Sequence, residues 1–324
     1  MFWGMIDLSL TNIWQAWTSF RKNKKPSREI TIFEAELERN LLQLCSGLNS
    51  GKYQHGGYNH RIVNEKKRRD IAVASVRDRV VHRLIYDYLV PLVDSKLDYD
   101  VWSCRAGKGL HRALLRTHEL TVKYSHGWVW RADISKFFDT VDQETLKACL
   151  ARFVNDKQSL DILDKVIDSY TAPLRVSQDK SAIGIPIGNL TSQIFANVYL
   201  NEFDRYVRHH IKPHGYLRYG DDFVLFVDTK SQAERFKIET TRWLSDNLCL
   251  SVHAKNNVIT KTTKGLLYLG HQIYATSGIS VDKMMARKIE QKIDVRRAST
   301  YKAMHITSKQ AKRIPWLLRN QIER

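Results

Sequence analysis

Residues 216–227 read YLRYGDDFVLFV, two runs rich in aromatic and β-branched side chains with Gly220-Asp221-Asp222 between them. Such runs favour strands, and Gly and Asp at their junction favour a tight turn because both tolerate positive φ. The segment predicts a β-hairpin that holds two carboxylates side by side at its tip. Acidic turns are common, and the dipeptide alone permits that plain reading. The charge balance argues for more: 52 Lys and Arg oppose 34 Asp and Glu, a formal net charge of +18. An excess of that size favours a polyanionic partner, nucleic acid first among them, and acidic residues clustered within such a chain suggest a metal.

A chain of 324 residues exceeds what one core usually holds, so two or three subdomains are expected. With 43% hydrophobic residues and only 15 Gly and 6 Pro, the composition is that of a folded protein. Cys45, Cys104, Cys149 and Cys249 are far apart and form no CxxC, which suggests neither a zinc site nor a disulfide framework and points to a reducing cytoplasm. The apolar N-terminus, MFWGMIDLSLTNIWQAWTSF, lacks a basic leader and is interrupted by Asp7, so it reads as an amphipathic helix. No apolar run approaches the roughly 20 residues of a membrane span.

Along the chain, a helical pattern runs through Phe33, Leu37, Leu41, Leu42 and Leu48 and stops at Gly51. The run Lys66-Lys67-Arg68-Arg69 precedes a helix carrying Val76, Val80, Leu84, Tyr88 and Leu92 on one face; alone, the run reads as a solvated charge cluster. Residues 126–142 begin as a strand with Asp133 at its polar end. GIPIGNLTSQIFANVYLNEFDRYV, 184–207, opens as a Gly-bracketed loop and continues as a helix with Phe195, Val198, Phe203 and Tyr206 on its apolar face. After the hairpin come a helix near 231–247, the segment LCLSVHAKNNVI, and a strand-like GLLYLGHQIY. The last 45 or so residues alternate basic and apolar positions in a helical pattern.

Two divalent cations about 3.5–4 Å apart need several carboxylates converging on them, since hard cations prefer oxygen ligands. Asp221 and Asp222 supply two, and Asp133, at the end of a strand able to pair beside the hairpin, is the candidate third. With these residues in view the chain resembles a reverse transcriptase, an RNA-directed DNA polymerase. The resemblance runs from about residue 30 to just past LGHQIY, with basic fingers, DISKFF, the Gly-containing loop, YGDD, a lysine-bearing segment and LG in the family's order.

That resemblance implies an α+β right-hand fold with an antiparallel palm sheet backed by helices and helical fingers and thumb. The expected boundaries are an N-terminal helical basic extension at 1–51, fingers at 52–130, palm at 131–265 with a fingers insertion at about 143–183, and thumb at 266–324. It makes Asp133, Asp221 and Asp222 the metal ligands, with the Ile134 carbonyl as an extra one, for two Mg²⁺ ions with Mn²⁺ as the alternative. Lys67 and Arg69 would hold the incoming triphosphate, Arg as a bidentate fork and Lys as a point charge. Arg77, Asp78 and Arg79 match the family's later D-R element, where Asp78 serves to orient the arginines. Phe138 takes the place of the steric gate against a ribose 2′-hydroxyl; the alternative is half of a Phe137-Phe138 core pair. Ile187, Gly188 and Gln193 would face the nascent base pair. Lys255 is either a general acid near the leaving pyrophosphate or a lysine on exposed basic surface. Leu269 and Gly270 resemble the primer grip, beside Tyr219 and Gly220 at the primer end, and Arg105, Lys108 and His111 would line the template path.

Many bacterial relatives read QGxxxSP where this chain has Ile187-Gly188-Asn189-Leu190-Thr191-Ser192-Gln193. That form, and CRAGKGLH at 104–111, resemble the enzymes of diversity-generating retroelements. An aliphatic Ile187 removes a polar restraint on the incoming nucleotide, in keeping with miscopying of template adenines. The implied partners are a template-repeat RNA, the cDNA or primer strand, dNTPs and a small basic oligomeric accessory protein, with no membrane, in the cytoplasm of a bacterial, archaeal or phage-infected host. Two other readings stand: a phage-defence or orphan enzyme with a different template and priming mode, and a catalytically inert RNA-binding scaffold.

Overall fold

The computed structural model describes residues 4–64, 68–172 and 183–281. In chain order its elements are α1 (Leu10–Arg21), α2 (Arg28–Ala35), α3 (Leu37–Asn49), β1 (Tyr58–Asn64), β2 (Arg68–Ala74), α4 (Val76–Val93), α5 (Leu110–Lys123), β3 (Trp128–Asp133), α6 (Phe137–Thr140) and α7 (Gln143–Leu150). There follow α8 (Lys157–Asp168), α9 (Leu190–Tyr206), β4 (Gly215–Tyr219), β5 (Asp222–Val227), α10 (Lys230–Leu248), β6 (Val258–Lys261), β7 (Leu266–Tyr268), β8 (His271–Tyr274) and β9 (Gly278–Val281). Among the described residues, helices begin where a Ser or Asp side chain accepts a backbone N–H of the first turn at Ser9, Ser27, Ser75, Asp142 and Asp156.

The described residues form two compact units. The first gathers those within 4–98, 136–204 and 244–250. Here α1 buries Ile13, Ala16, Trp17 and Phe20 and packs on α4, whose buried face includes Val76, Val80, Leu84, Leu89 and Val93. Strands β1 and β2 pair antiparallel, Tyr58 opposite Ala74 and Asn64 opposite Arg68. Asp78, fully buried in the first turn of α4, accepts hydrogen bonds from the Tyr53 and Ser75 hydroxyls and the Gly56 N–H, and pairs with Arg77 at 3.1 Å. Burial pushes its carboxyl up, yet the Ser75 bond, the neighbouring His55 and Arg77 and the Tyr53 bond together hold it below the usual carboxylate range. Its stabilising contribution is therefore present above the unfolded carboxylate pKa and is lost as pH falls through the folded value. Asp78 thus orients Arg77, whereas Arg79 pairs with Glu29 at 3.0 Å.

The second unit gathers the described residues within 99–135, 205–243 and 251–281. It holds a four-stranded sheet in the order β4-β5-β3-β6 and a three-stranded sheet β7-β8-β9, and every strand pair in both is antiparallel. Strand β5 is buried from Phe223 to Val227, on both faces, which is why its sequence is continuously apolar instead of alternating. Helix α5 contributes Ala113, Leu114 and Leu120 to a core shared with Val129, Leu217, Val224 and Phe226 of the larger sheet and Tyr268, Ile273 and Ile279 of the smaller. Each large side chain of that core contributes about 1.5–3 kcal/mol by leaving water.

Several local expectations are corrected. The pattern from Phe33 to Leu48 is two helices, broken at Glu36 (φ −124°, ψ 38°). The segment before α4 forms the paired strands β1 and β2, which alternate too weakly to announce themselves in the sequence. GLLYLGHQIY is not one strand but the hairpin β7–β8, in which Tyr268 lies opposite His271 and Leu269 (φ 49°) and Gly270 (φ 77°) form the two-residue turn. Lys67, the insertion's residues 173–182 and residues 282–324 of the expected thumb lie outside the described residues. Among the described residues no helix is long and apolar enough to cross a membrane, and all four cysteines are free.

Candidate active site

Strand β3 ends at Asp133, and the register with β5 sets Asp133 directly opposite Asp222. The turn that joins β4 to β5 places Asp221 beside them. Only Gly220 adopts positive φ in that turn, at 65°, and Asp222 already belongs to β5. One carboxylate oxygen from each of Asp133, Asp221 and Asp222 lies within 4.8 Å of the other two, and all three residues are half-buried. Gathering three anions is unfavourable by itself, and hard divalent cations relieve that repulsion while preferring an all-oxygen donor set. The residues fit such ions.

The backbone around the trio is fixed from several directions. Ser103 Oγ accepts the Gly220 N–H at 2.9 Å, and the fully buried Arg218 donates through Nη1 to the Gly220 carbonyl at 3.0 Å. The Ile134 N–H donates to the Asp221 carbonyl at 3.2 Å, and the His253 N–H to the Asp133 carbonyl at 2.7 Å. Tyr268, fully buried, donates its hydroxyl to the Asp222 carbonyl at 3.0 Å; burial first, and the nearby Asp222 charge, push its pKa well above the ordinary value and keep that proton in place. Asn256 donates Nδ2–H to Asp133 Oδ2 at 3.0 Å. Ser103, Tyr268, Arg218 and Asn256 do not stand out in the sequence, because each acts across a long stretch of chain or through the backbone, and none belongs to a local pattern.

Other expected site residues fall in the same unit. Lys255 sits exposed in a short turn at Ala254–Asn256, and its neighbour Asn256 is the residue of that turn that touches Asp133. Tyr219 closes β4 opposite Asp222, and Leu269 and Gly270 form the β7–β8 turn. In the CRAGKGLH segment, Arg105 donates to the Val101 carbonyl at 3.2 Å and His111 is exposed. Lys108 stands 4.1 Å from the Tyr99 ring centre and 4.0 Å from that of Trp102.

The first unit carries the remainder. Arg69 is exposed on β2. Phe137 is buried against Tyr199, while Phe138 packs edge-on against Phe137 and stays half-exposed. The loop holding Ile187 and Gly188 is tied to β2 by the buried Asn189, whose Nδ2 donates to the Ala72 carbonyl at 2.7 Å, and is closed by Ser192 Oγ donating to the Pro186 carbonyl at 2.6 Å. Gln193 is exposed in the first turn of α9. Gly188 adopts φ 100°, and a Cβ there would meet Ile71 Cγ2 at 2.4 Å. Gly188→Ala is therefore expected to destabilise the protein by about 2–4 kcal/mol, from backbone strain and overpacking together, as a lower urea midpoint at unchanged slope.

An antiparallel sheet that ends in a trio of carboxylates suited to divalent cations, in a strongly basic chain, fits an enzyme that acts on nucleic acid. A model of the family described as reverse transcriptase (RNA-dependent DNA polymerase) matches residues 57–273, which contain the whole trio. The chain belongs to the reverse transcriptase family and is, by family, an RNA-directed DNA polymerase. Protein YkfC of Escherichia coli is 27% identical over 281 residues, covering 75% of this chain and 73% of that protein. The group II intron-encoded protein LtrA of Lactococcus lactis is 22% identical over 176 residues, covering 52% of this chain and 28% of LtrA. The putative COX1/OXI3 intron 1 protein of Saccharomyces cerevisiae is 22% identical over 193 residues, 58% of this chain and 23% of that protein.

Proposed function

We propose that the chain makes cDNA from a template-repeat RNA by two-metal nucleotidyl transfer, as a diversity-generating reverse transcriptase. The observation that carries the chemistry is the convergence of Asp133, Asp221 and Asp222. These three, with the Ile134 carbonyl, would hold two Mg²⁺. When bound, the ions supply a lowered pKa for the primer 3′-hydroxyl and charge stabilisation at the leaving oxygens. The primer 3′-hydroxyl would lose its proton to solvent as its oxygen forms a bond to the α-phosphorus and the bond to pyrophosphate breaks, and Lys255, recharged from solvent, would give the pyrophosphate a proton. Lys67 and Arg69 would pair with the triphosphate, and Phe138 would meet the sugar. Ile187, Gly188 and Gln193 flank the base pair. The Leu269-Gly270 turn with Tyr219 and Gly220 would present the primer end, while Arg105, Lys108 and His111 would follow the template. The proposed organisation remains extension, fingers, palm and thumb.

The subtype rests on IGNLTSQ, where Ile187 and Gln193 stand in place of the polar Gln and the Pro of other bacterial enzymes. The test is Mg²⁺-dependent dNTP incorporation on a primed RNA template, with the cDNA sequenced. Errors concentrated at template adenines are expected; an ordinary spectrum would favour the defence or orphan reading. Incorporation that appears only with the native RNA and a small basic accessory protein would identify both as partners, and none under either condition would favour the scaffold.

A further inference from the structure

Asp133 is held by a relay that the carboxylate trio does not itself explain. Arg131 and Asp133 are two residues apart on β3 and so project to the same side of the sheet. The Arg131 guanidinium does not end on Asp133: Nη1 donates to the Leu267 carbonyl at 2.5 Å and Nη2 to Asn256 Oδ1 at 3.4 Å. The other end of the same amide donates Nδ2–H to Asp133 Oδ2 at 3.0 Å. Both contacts fix the orientation of the amide, because only its oxygen can accept from Arg131 and only its nitrogen can donate to a carboxylate. A cation on the oxygen polarises the amide and strengthens the N–H on the far side.

We infer that Asn256 is a positioning residue for the metal centre, an inference that rests on the metal reading above. It orients Asp133 through one oxygen and leaves Oδ1 and the second lone pair of Oδ2 to a cation. It also interposes a neutral group between Arg131 and Asp133, where a direct guanidinium–carboxylate fork would compete with the ion for both oxygens. The placement of the hydrogen-bond donor, outside the carboxylates but aimed at one of them, is the arrangement by which outer groups tune metal sites.

The test reads metal binding without turnover. Mn²⁺ affinity of the full chain is measured by electron paramagnetic resonance for wild type, Asn256→Leu and Asn256→Ser, with Asp221→Ala plus Asp222→Ala as background and thermal unfolding followed in parallel. Leucine keeps the volume and removes both hydrogen bonds; serine keeps a hydroxyl that both donates and accepts. Asn256→Leu is expected to weaken Mn²⁺ binding about 10–100-fold, with Asn256→Ser in between and the unfolding temperature little changed. Incorporation by Asn256→Leu should then recover as divalent cation is raised. Affinity equal to wild type in Asn256→Leu would overturn the inference. So would equal weakening in both variants together with a lowered unfolding temperature, since that pattern belongs to a structural contact. Wild-type binding no better than the double-alanine background would instead remove the metal reading itself, and the inference with it.

Discussion

Asp221→Ala plus Asp222→Ala is expected to reduce Mg²⁺-dependent dNTP incorporation by at least about 10³-fold, the loss of several kcal/mol of charge stabilisation in the transition state. The same variant is expected to keep its fold. Four bonds to backbone groups of the turn, at the Gly220 N–H and carbonyl and the Asp221 and Asp222 carbonyls, survive the loss of the carboxylates. Removing two half-buried anions from beside a third also relieves like-charge repulsion in the metal-free protein. Primer extension and urea unfolding on the same preparation separate the two effects. Activity within tenfold of wild type would refute the assignment of the trio, whereas a collapsed unfolding midpoint would mean that the side chains are part of the fold.

The trio is legible in the sequence because each member carries a local signal. Asp221 and Asp222 interrupt a run that otherwise reads as two buried strands, and Asp133 ends a third strand with the same aromatic and β-branched make-up. The register that sets Asp133 opposite Asp222 is not a local property, yet it follows once the polar ends of buried strands are required to share one edge. The supporting residues are not legible. Asn256 meets Asp133 from 123 positions away, Ser103 meets Gly220 from 117, and Asn189 meets Ala72 from 117. A single Asn or Ser has no period and no spacing to betray its partner. Lys255 carries the conspicuous charge of its segment, while the smaller Asn256 beside it makes the contact with the carboxylate.

The β1–β2 pair and the β7–β8 turn are hidden for a different physical reason. Strands β1 and β2 carry Asn59, His60, Arg61 and Arg68, Arg69, Asp70, so their apolar residues do not alternate cleanly and charge dominates the pattern. In the β7–β8 turn the position next to Gly270 is Leu269, a residue that rarely takes positive φ, so the usual Asn-Gly or Asp-Gly signature is missing. That conformation is held by short strands whose Tyr268 and Ile273 are fully buried. A non-glycine residue kept at φ 49° marks a place where tertiary packing overrides local preference, which sites that meet a ligand's backbone often require.

Phe138→Ala is expected to relax sugar selection, raising the ratio of ribonucleotide to deoxyribonucleotide incorporation by about 10²-fold, since a pocket that rejects a group by steric clash loses that rejection when the blocking ring goes. The adjacent phenylalanines differ in burial. Lys136 takes φ 47° just before α6, after which Phe137 turns inward to 2% exposure against Tyr199, and Phe138 remains half-exposed with its ring edge-on to Phe137 at 5.3 Å. The Phe138 carbonyl accepts the Ile185 N–H at 2.8 Å, which ties this backbone to the start of the loop that carries Ile187 and Gly188. Backbone placement therefore survives truncation of the ring. Phe137→Ala should instead cost about 3–5 kcal/mol of stability, the usual result of emptying a buried aromatic site, with sugar selection unchanged in whatever protein still folds. Steady-state incorporation of matched rNTP and dNTP by both variants decides between the two positions. Unchanged discrimination in Phe138→Ala would return that ring to the core pair and leave the sugar to be read elsewhere.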